Sequence, residues 1–301
     1  MLKKSFLGLF LGLILNIAIS NAKIVQRIIG GNYAPQGRFK HQVSLQMIGQ
    51  DCTFHQCGGS IIDAIHIITA AHCVINDNQE FQNYNITIMA GTTDLRNKSS
   101  GIYRDVEYTV VPTSYQTSKG AVDDIAILRL KRPLPLKSES HRIRAINLPA
   151  DDYRYMPPNT KLAIVSGFGS FKQKWNAQSG KIESGPLSPR LKFATGLINK
   201  IEPQFGCRDT EVCVLNDNSH GACHGDSGGP LIDPSTNTLI GIVSYSNHKW
   251  CGKTTKYTRV SSYLDFINKV RAGGLMDRNF ISILHQNFDN EKIVGQLSYC
   301  T

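Results

Sequence analysis

The apolar residues of this chain come in short runs. Val43–Ile48, Ser60–Ile62, Ile65–Ala70, Ile86–Ala90, Val106–Val111, Ile125–Leu130, Lys161–Val165, Lys192–Ile198, Leu231–Ile232, Leu239–Tyr245 and Lys256–Val260 are separated by turn residues. Several are rich in Ile, Val, Thr and Tyr, the residues that strands favour. Many short strands broken by Gly, Pro and Asn point to an all-β barrel or sandwich. The 301 residues allow one large or two small domains, and a hydrophobic fraction of 41% is enough for a packed core. A single helix signal stands out: Ser261-Ser262 as cap, Tyr263, Leu264, Ile267 and Val270 as the apolar face, and Ala272-Gly273-Gly274 as the stop. Lys172–Pro189, rich in Ser, Gly, Lys and Pro, reads as a long exposed loop, and no internal repeat is visible.

The first residues read as those of an exported chain. Met-Leu-Lys-Lys, an apolar run from Phe6 to Ile19 and Ser20-Asn21-Ala22 form a charged region, a hydrophobic region and a small-residue cleavage site. The run is too short to span a bilayer comfortably, so residues 1–22 read as a secretory signal peptide and no membrane anchor is expected. In an oxidising compartment the eight cysteines read as disulfides. No C-x-x-C pair argues for zinc. Asn85-Ile-Thr87 and Asn97-Lys-Ser99 become candidate glycan sites. Of the net charge of +10, Lys3, Lys4, Lys23 and Arg27 lie in a leader without acids, so the chain from Ile28 carries +6. Those charges are scattered, and no basic run suggests nucleic-acid binding.

The stretch GACHGDSGGP, Gly221–Pro230, admits two readings. Gly, Asp and Ser are ordinary turn residues. They would also suit a nucleophilic Ser227 on a backbone tight enough that its amides hold an oxyanion. Other stretches decide between them. ITAAHC ends at His72-Cys73, DDIAIL runs from Asp123 to Leu128, and GDSGGP follows. With RIIGG, CGGSII, SGFG at Ser166–Gly169 and GIVSY at Gly241–Tyr245, they occur in an order that resembles the chymotrypsin-like serine proteases from Ile28 to about Arg271.

That resemblance implies two packed six-stranded antiparallel β-barrels with a C-terminal helix and the active site between the barrels. It implies residues 23–27 as an activation propeptide, 28–271 as the peptidase domain and 272–301 as a C-terminal extension. It implies His72 as general base, Asp124 as its orienting acid and Ser227 as nucleophile, with the Gly225 and Ser227 amides as oxyanion hole. Asp123, beside Asp124, is assigned the role of a solvated turn acid. Cleavage of Arg27–Ile28 by an activating protease would free an ammonium to pair with Asp226, a charge that exists only after the cut. The family pattern implies Cys57–Cys73, Cys223–Cys251 and Cys207–Cys213 bridges, the last around a segment shorter than usual. Cys52 and Cys300 match no family bridge. The residues beyond Arg271 include Phe280, Ile281, Ile283, Leu284, Phe288, Ile293, Val294 and Tyr299, too apolar for a solvated tail, so a Cys52–Cys300 disulfide is expected to pin it. Free thiols, or pairing of Cys300 with another chain, are the alternatives.

The pocket departs from the trypsin-like pattern. Gly221 stands where an aspartate would pair with substrate Lys or Arg. With Ser244, Ser246 and Thr255 as walls, the expected preference is for small or medium apolar side chains, as in elastase-like members. Lys253 or Lys256 reaching the pocket would favour acidic residues instead, and an aromatic preference is a third option. Protein or peptide substrates and protein inhibitors are the implied partners. The mechanism needs no cofactor or metal, and the loop after Gly91 lacks the acids of a calcium site. Two rivals remain. GDSGG also fits the nucleophile elbow of an α/β-hydrolase esterase, with Asp265 and His285 downstream, but Gly229-Pro230 leads toward a strand and helices are few. A protease-like binding protein that has lost catalysis usually lacks a triad member, and this chain lacks none.

Overall fold

The computed structural model describes residues 31–76, 80–81, 86–117, 120–150, 157–199, 206–216, 220–246, 250–275, 277–284 and 290–300. The leader, the Arg27–Ile28 bond, Asn85, His285 and Phe288 lie outside them. Strand β1 (Asn32–Tyr33) is followed by the N-terminal barrel: β2 (Gln42–Ile48), β3 (Cys52–Ile61), β4 (His66–Thr69), β5 (Thr87–Ala90), β6 (Ile102–Pro112) and β7 (Ala126–Leu130). Their order is β6-β5-β2-β3-β4-β7, and the β6–β7 pairing closes the ring. The second barrel is built from β8 (Leu162–Gly167), β11 (Lys192–Ile198), β12 (Glu211–Leu215), β13 (Pro230–Asp233), β14 (Thr238–Tyr245) and β15 (Thr254–Arg259), and closes through β11–β8. Between β8 and β11 stands a separate hairpin of β9 (Gln173–Asn176) and β10 (Lys181–Ser184). The segment read as a long loop is therefore partly a hairpin. Each strand has a single apolar residue, Trp175 or Ile182, opposite each other in the pairing, so no alternating pattern marked them.

Strand β2 explains how the barrels meet. Val43, Leu45 and Met47 fill the N-terminal core, as a period of two requires. The intervening Gln42, Ser44 and Gln46 are buried too. Their hydrogen bonds run to Ser166, where Ser166 Oγ donates to Gln42 Oε1 at 2.7 Å, and to His55. The polar face of β2 is thus an interface where solvent would otherwise be.

A 3-10 turn, Val260–Tyr263, leads into α1 (Leu264–Arg271). Ser261 and Ser262 do not cap it by side-chain hydrogen bonds; Ser262 Oγ instead accepts from Arg259. The chain then returns over the N-terminal barrel. β16 (Phe280–Leu284) pairs antiparallel with β6, and Phe280 meets Phe266 edge-on at 5.0 Å. In α2 (Asn290–Val294) Val294 is fully buried, and Glu291 is paired with Arg132. β17 (Ser298–Tyr299) pairs parallel with β3, the Cys300 amide donates to Thr53 at 2.8 Å, and Cys300 is bridged to Cys52. The other bridges are Cys57–Cys73, Cys207–Cys213 and Cys223–Cys251. No helix among the described residues is long and apolar enough to cross a membrane.

Candidate active site

His72 sits in a 3-10 turn, Ala71–Cys73, that follows β4 and is tied to β3 by Cys57–Cys73. Asp124 precedes β7 and is completely buried. Its Oδ1 accepts the His72 amide at 3.0 Å and its Oδ2 lies 2.8 Å from His72 Nδ1. The Ser244 hydroxyl also donates to Oδ2, so Ser244, which lines the pocket beside Ser227 as expected, also holds the acid. Thr258 donates to the Asp124 carbonyl at 2.7 Å. A carboxylate can only accept, so Nδ1 carries the ring proton and Nε2 is left as the base. Burial favours a neutral imidazole, but the charge and hydrogen bond of Asp124 outweigh it and raise the His72 pKa above 6.5. Burial likewise works against the Asp124 charge, yet His72, Ser244 and the His72 amide hold its pKa below the usual range. Asp123 is not a free surface acid. It is half-buried at a φ of 54°, and its Oδ1 accepts the Tyr263 hydroxyl at 2.7 Å.

The glycines of the Ser227 loop are forced by close approach. Gly225 has a φ of 91°, and a Cβ there would stand 2.7 Å from Leu187. A Cβ on Gly228 would stand 2.0 Å from Thr69 Oγ1. The Ser170 amide donates to the His224 carbonyl at 2.7 Å, and no peptide in the described chain is cis. The N–H of Gly225 therefore points away from Ser170. Among the described residues neither the Gly225 nor the Ser227 amide donates to a protein acceptor. The Ser227 carbonyl accepts from Gly58 at 2.7 Å, and the Gly228 amide donates to Val243 at 2.8 Å. No hydrogen bond joins the His72 ring to the Ser227 hydroxyl among the described residues, a contact that often tightens only with substrate.

One residue of this site carried no sequence signal. His55, on β3, is buried, and its Nε2 lies 2.7 Å from the Gly225 carbonyl. Burial keeps it neutral, with a pKa lowered to about 4 despite that carbonyl. The carbonyl can only accept, so Nε2 carries the proton and Nδ1 accepts from Ser44 Oγ at 2.6 Å. Asp226, completely buried, accepts the Gly169 amide at 2.7 Å and the Cys223 amide at 2.9 Å. Burial raises its pKa to about 6 against the pull of those amides.

Beside Ser227 lies a pocket of about 290 Å³, lined by residues that include Cys223, Val243, Ser246, Cys251 and Thr255. No acid lines it. Gly221 is not among the lining residues, and a Cβ there would touch Asn216 at 3.1 Å. Ser246 Oγ donates to the Thr254 carbonyl at 2.7 Å. Lys256 turns elsewhere: its Nζ donates to the Gly206 carbonyl at 2.9 Å and lies 3.8 Å from Glu211. Lys253 does not line the pocket either. Asn97 is exposed.

A family model described as Trypsin matches residues 28–267. The chain is 31% identical to Chymotrypsin-2 of Vespa crabro over 247 residues, covering 80% of this chain and 99% of that protein. It is 32% identical to Chymotrypsin-C of Mus musculus over 255 residues, covering 81% and 88%. It superposes on the structure of human heparin binding protein with a TM-score of 0.66 and 26% identity, covering 81% of this chain and 97% of that one.

Proposed function

The chain belongs to the trypsin family, and on that premise we propose that it is a secreted serine endopeptidase made as a zymogen. The observation that carries the reading is the His72–Asp124 pair together with a Ser227 loop whose Gly225 and Ser227 amides donate to no protein acceptor among the described residues. In the proposed reaction His72 Nε2 takes the Ser227 proton as the hydroxyl attacks the scissile carbonyl. The imidazolium is stabilised by Asp124, and the oxyanion is held by the two amides. His72 then protonates the leaving amine, and water releases the acyl group by the same path. Arg27–Ile28 is the proposed activation bond, with Asp226 receiving the new ammonium.

The proposed substrate preference is for small or medium apolar side chains before the scissile bond. It is supported by Ser246 and Thr255 in the pocket lining, by the lack of an acid there among the described residues, and by the turn of Lys256 toward Glu211. Matched peptides ending in Ala, Val or Leu should be cut faster than those ending in Arg; fastest cleavage after Arg would overturn the preference. Labelling with a serine-directed fluorophosphonate after cleavage at Arg27 tests the activity itself. Wild type should label, and Ser227→Ala and His72→Ala should not. An unlabelled wild type would favour a binding protein built on this fold.

A further inference from the structure

Lys192 is completely buried, and the proposed chemistry gives it no task. Its place in the sheet does. Lys192 of β11 stands directly opposite Gly167 of β8, and opposite residues of an antiparallel pair project from one face with their Cβ atoms about 5 Å apart. A Cβ on Gly167 would lie 2.1 Å from Asp226 Oδ1, so the Asp226 carboxylate occupies the space a side chain at 167 would take. The Lys192 stem therefore leaves the sheet on the face that carries Asp226. On its other side Lys192 is paired with Tyr33 of β1, five residues along the chain from Ile28. Its Nζ lies 4.3 Å from the Phe171 ring centre and 5.1 Å from that of Tyr33. Aromatic faces hold an ammonium away from water.

We propose that Lys192 is a positioning residue whose ammonium supplies part of the countercharge of Asp226 before Arg27–Ile28 is cut, so that the uncleaved chain keeps a fraction of its oxyanion loop ordered. The inference rests on the zymogen reading above and concerns its regulation. The two amides on Asp226 satisfy lone pairs but bring no net charge. A buried carboxylate without a cation is costly, and the loop that carries it would otherwise move to reach water. The charge of Lys192 acts in the opposite sense to burial, lowering the Asp226 pKa. Its flexible four-carbon stem lets the ammonium shift between the rings and the carboxylate. Once the Ile28 ammonium arrives, Lys192 becomes dispensable for the loop.

The test compares Lys192→Met in two full-length secreted backgrounds: the uncleavable Arg27→Gln chain and the chain cleaved at Arg27. Hydrogen exchange of the Gly221–Gly229 segment reads loop order without requiring activity, and fluorophosphonate labelling of Ser227 reads its consequence. In the uncleaved background Lys192→Met should raise exchange at Gly225–Ser227 and slow labelling by about tenfold or more. In the cleaved enzyme both should change by less than about twofold. Lys192→Gln should behave as Lys192→Met, and Lys192→Arg as wild type. An equal effect in both backgrounds, or none in the uncleaved one, overturns the inference. So does secretion of Lys192→Arg when neither neutral variant folds, because the charge would then serve the fold and not the switch. A cleaved wild type that fails to label, with the exchange difference present, removes the protease reading and leaves the inference standing.

Discussion

Asp124 and Asp226 are both completely buried, yet their environments treat the negative charge in opposite ways. Asp124 receives the His72 ring and amide and the Ser244 hydroxyl, and its pKa is held down in spite of burial. Asp226 receives two backbone amides, and its pKa is pushed up to about 6. Burial is the same in both places, so the partners decide. A carboxylate with a titratable cation in contact is permanently set for its task. One hydrogen-bonded only by amides, with at most a partial countercharge from Lys192, waits for a full charge to arrive, which suits a switch.

Removing the charge at the permanent site should do the most damage. Asp124→Asn keeps the shape but favours the wrong His72 tautomer, and kcat of the cleaved enzyme should fall by roughly 10⁴-fold, the loss seen for this change in the family's template triad. Stopped assays on peptide substrates, with circular dichroism as a folding control, measure it. A loss below tenfold would break the contrast. Asp226→Asn acts one step further off, by loosening the loop that aims the Gly225 and Ser227 amides. Loss of one such donor costs about 10²–10³-fold in kcat, and the same range is expected here with KM little changed. Full activity in Asp226→Asn would mean that the loop needs no ion pair.

The two aspartates were not equally visible in the sequence. Asp124 and Asp226 both came from motifs, but nothing in the motif foretold that one would hold its proton to higher pH. That difference is made by His72 and Ser244, which come together on the carboxylate only when the barrels close. His55 was invisible for the same reason: its partner Gly225 is 170 positions away, and Phe-His-Gln-Cys has no local pattern that implies it. Lys192 in a stretch of alternating character read simply as part of a strand, and its burial follows from contact with β1 on one side and β8 on the other. The barrels themselves were legible because apolar alternation and the family motifs agree. The β9–β10 hairpin was not, because each of its four-residue strands holds only one apolar residue, too few to show a period. The tail was legible as apolar. Its anchor was legible too, in the expected Cys52–Cys300 bridge that is present, but the pairing of β16 with β6 was not, because it depends on a surface that only the finished barrel offers.

A smaller effect should come from His55, which supports the switch side alone. His55→Ala removes the donor to the Gly225 carbonyl and leaves Ser44 Oγ without its ring acceptor. A buried group left unpaired costs about 1–3 kcal/mol, so kcat of the cleaved enzyme should fall by about tenfold while the His72 midpoint stays in place. A shift of that midpoint without loss of kcat would show that His55 acts on the Asp124 side.

The gentlest probe is pH, which should move the stability contributions of the two aspartates in opposite directions. Asp124 has a depressed pKa, so its contribution is present above the ordinary value of 3.8 and is lost as pH falls through the depressed one. Asp226 has a pKa raised from 3.8 to about 6. Between those values the folded chain keeps a proton that the unfolded chain has released, so stability falls as pH rises through the window and does not recover above it. The slope is bounded at about 1.4 kcal/mol per pH unit for one proton. Urea unfolding of the Arg27→Gln chain and of the same chain carrying Asp226→Asn as well, followed from pH 4 to pH 7, isolates this contribution because Asp124 and every other group are common to both. The single variant should lose stability relative to the double variant up to about pH 6, after which the difference should level off. Parallel curves across the window would mean that Asp226 is already fully neutralised before cleavage, and the distinction between the set site and the waiting site would collapse.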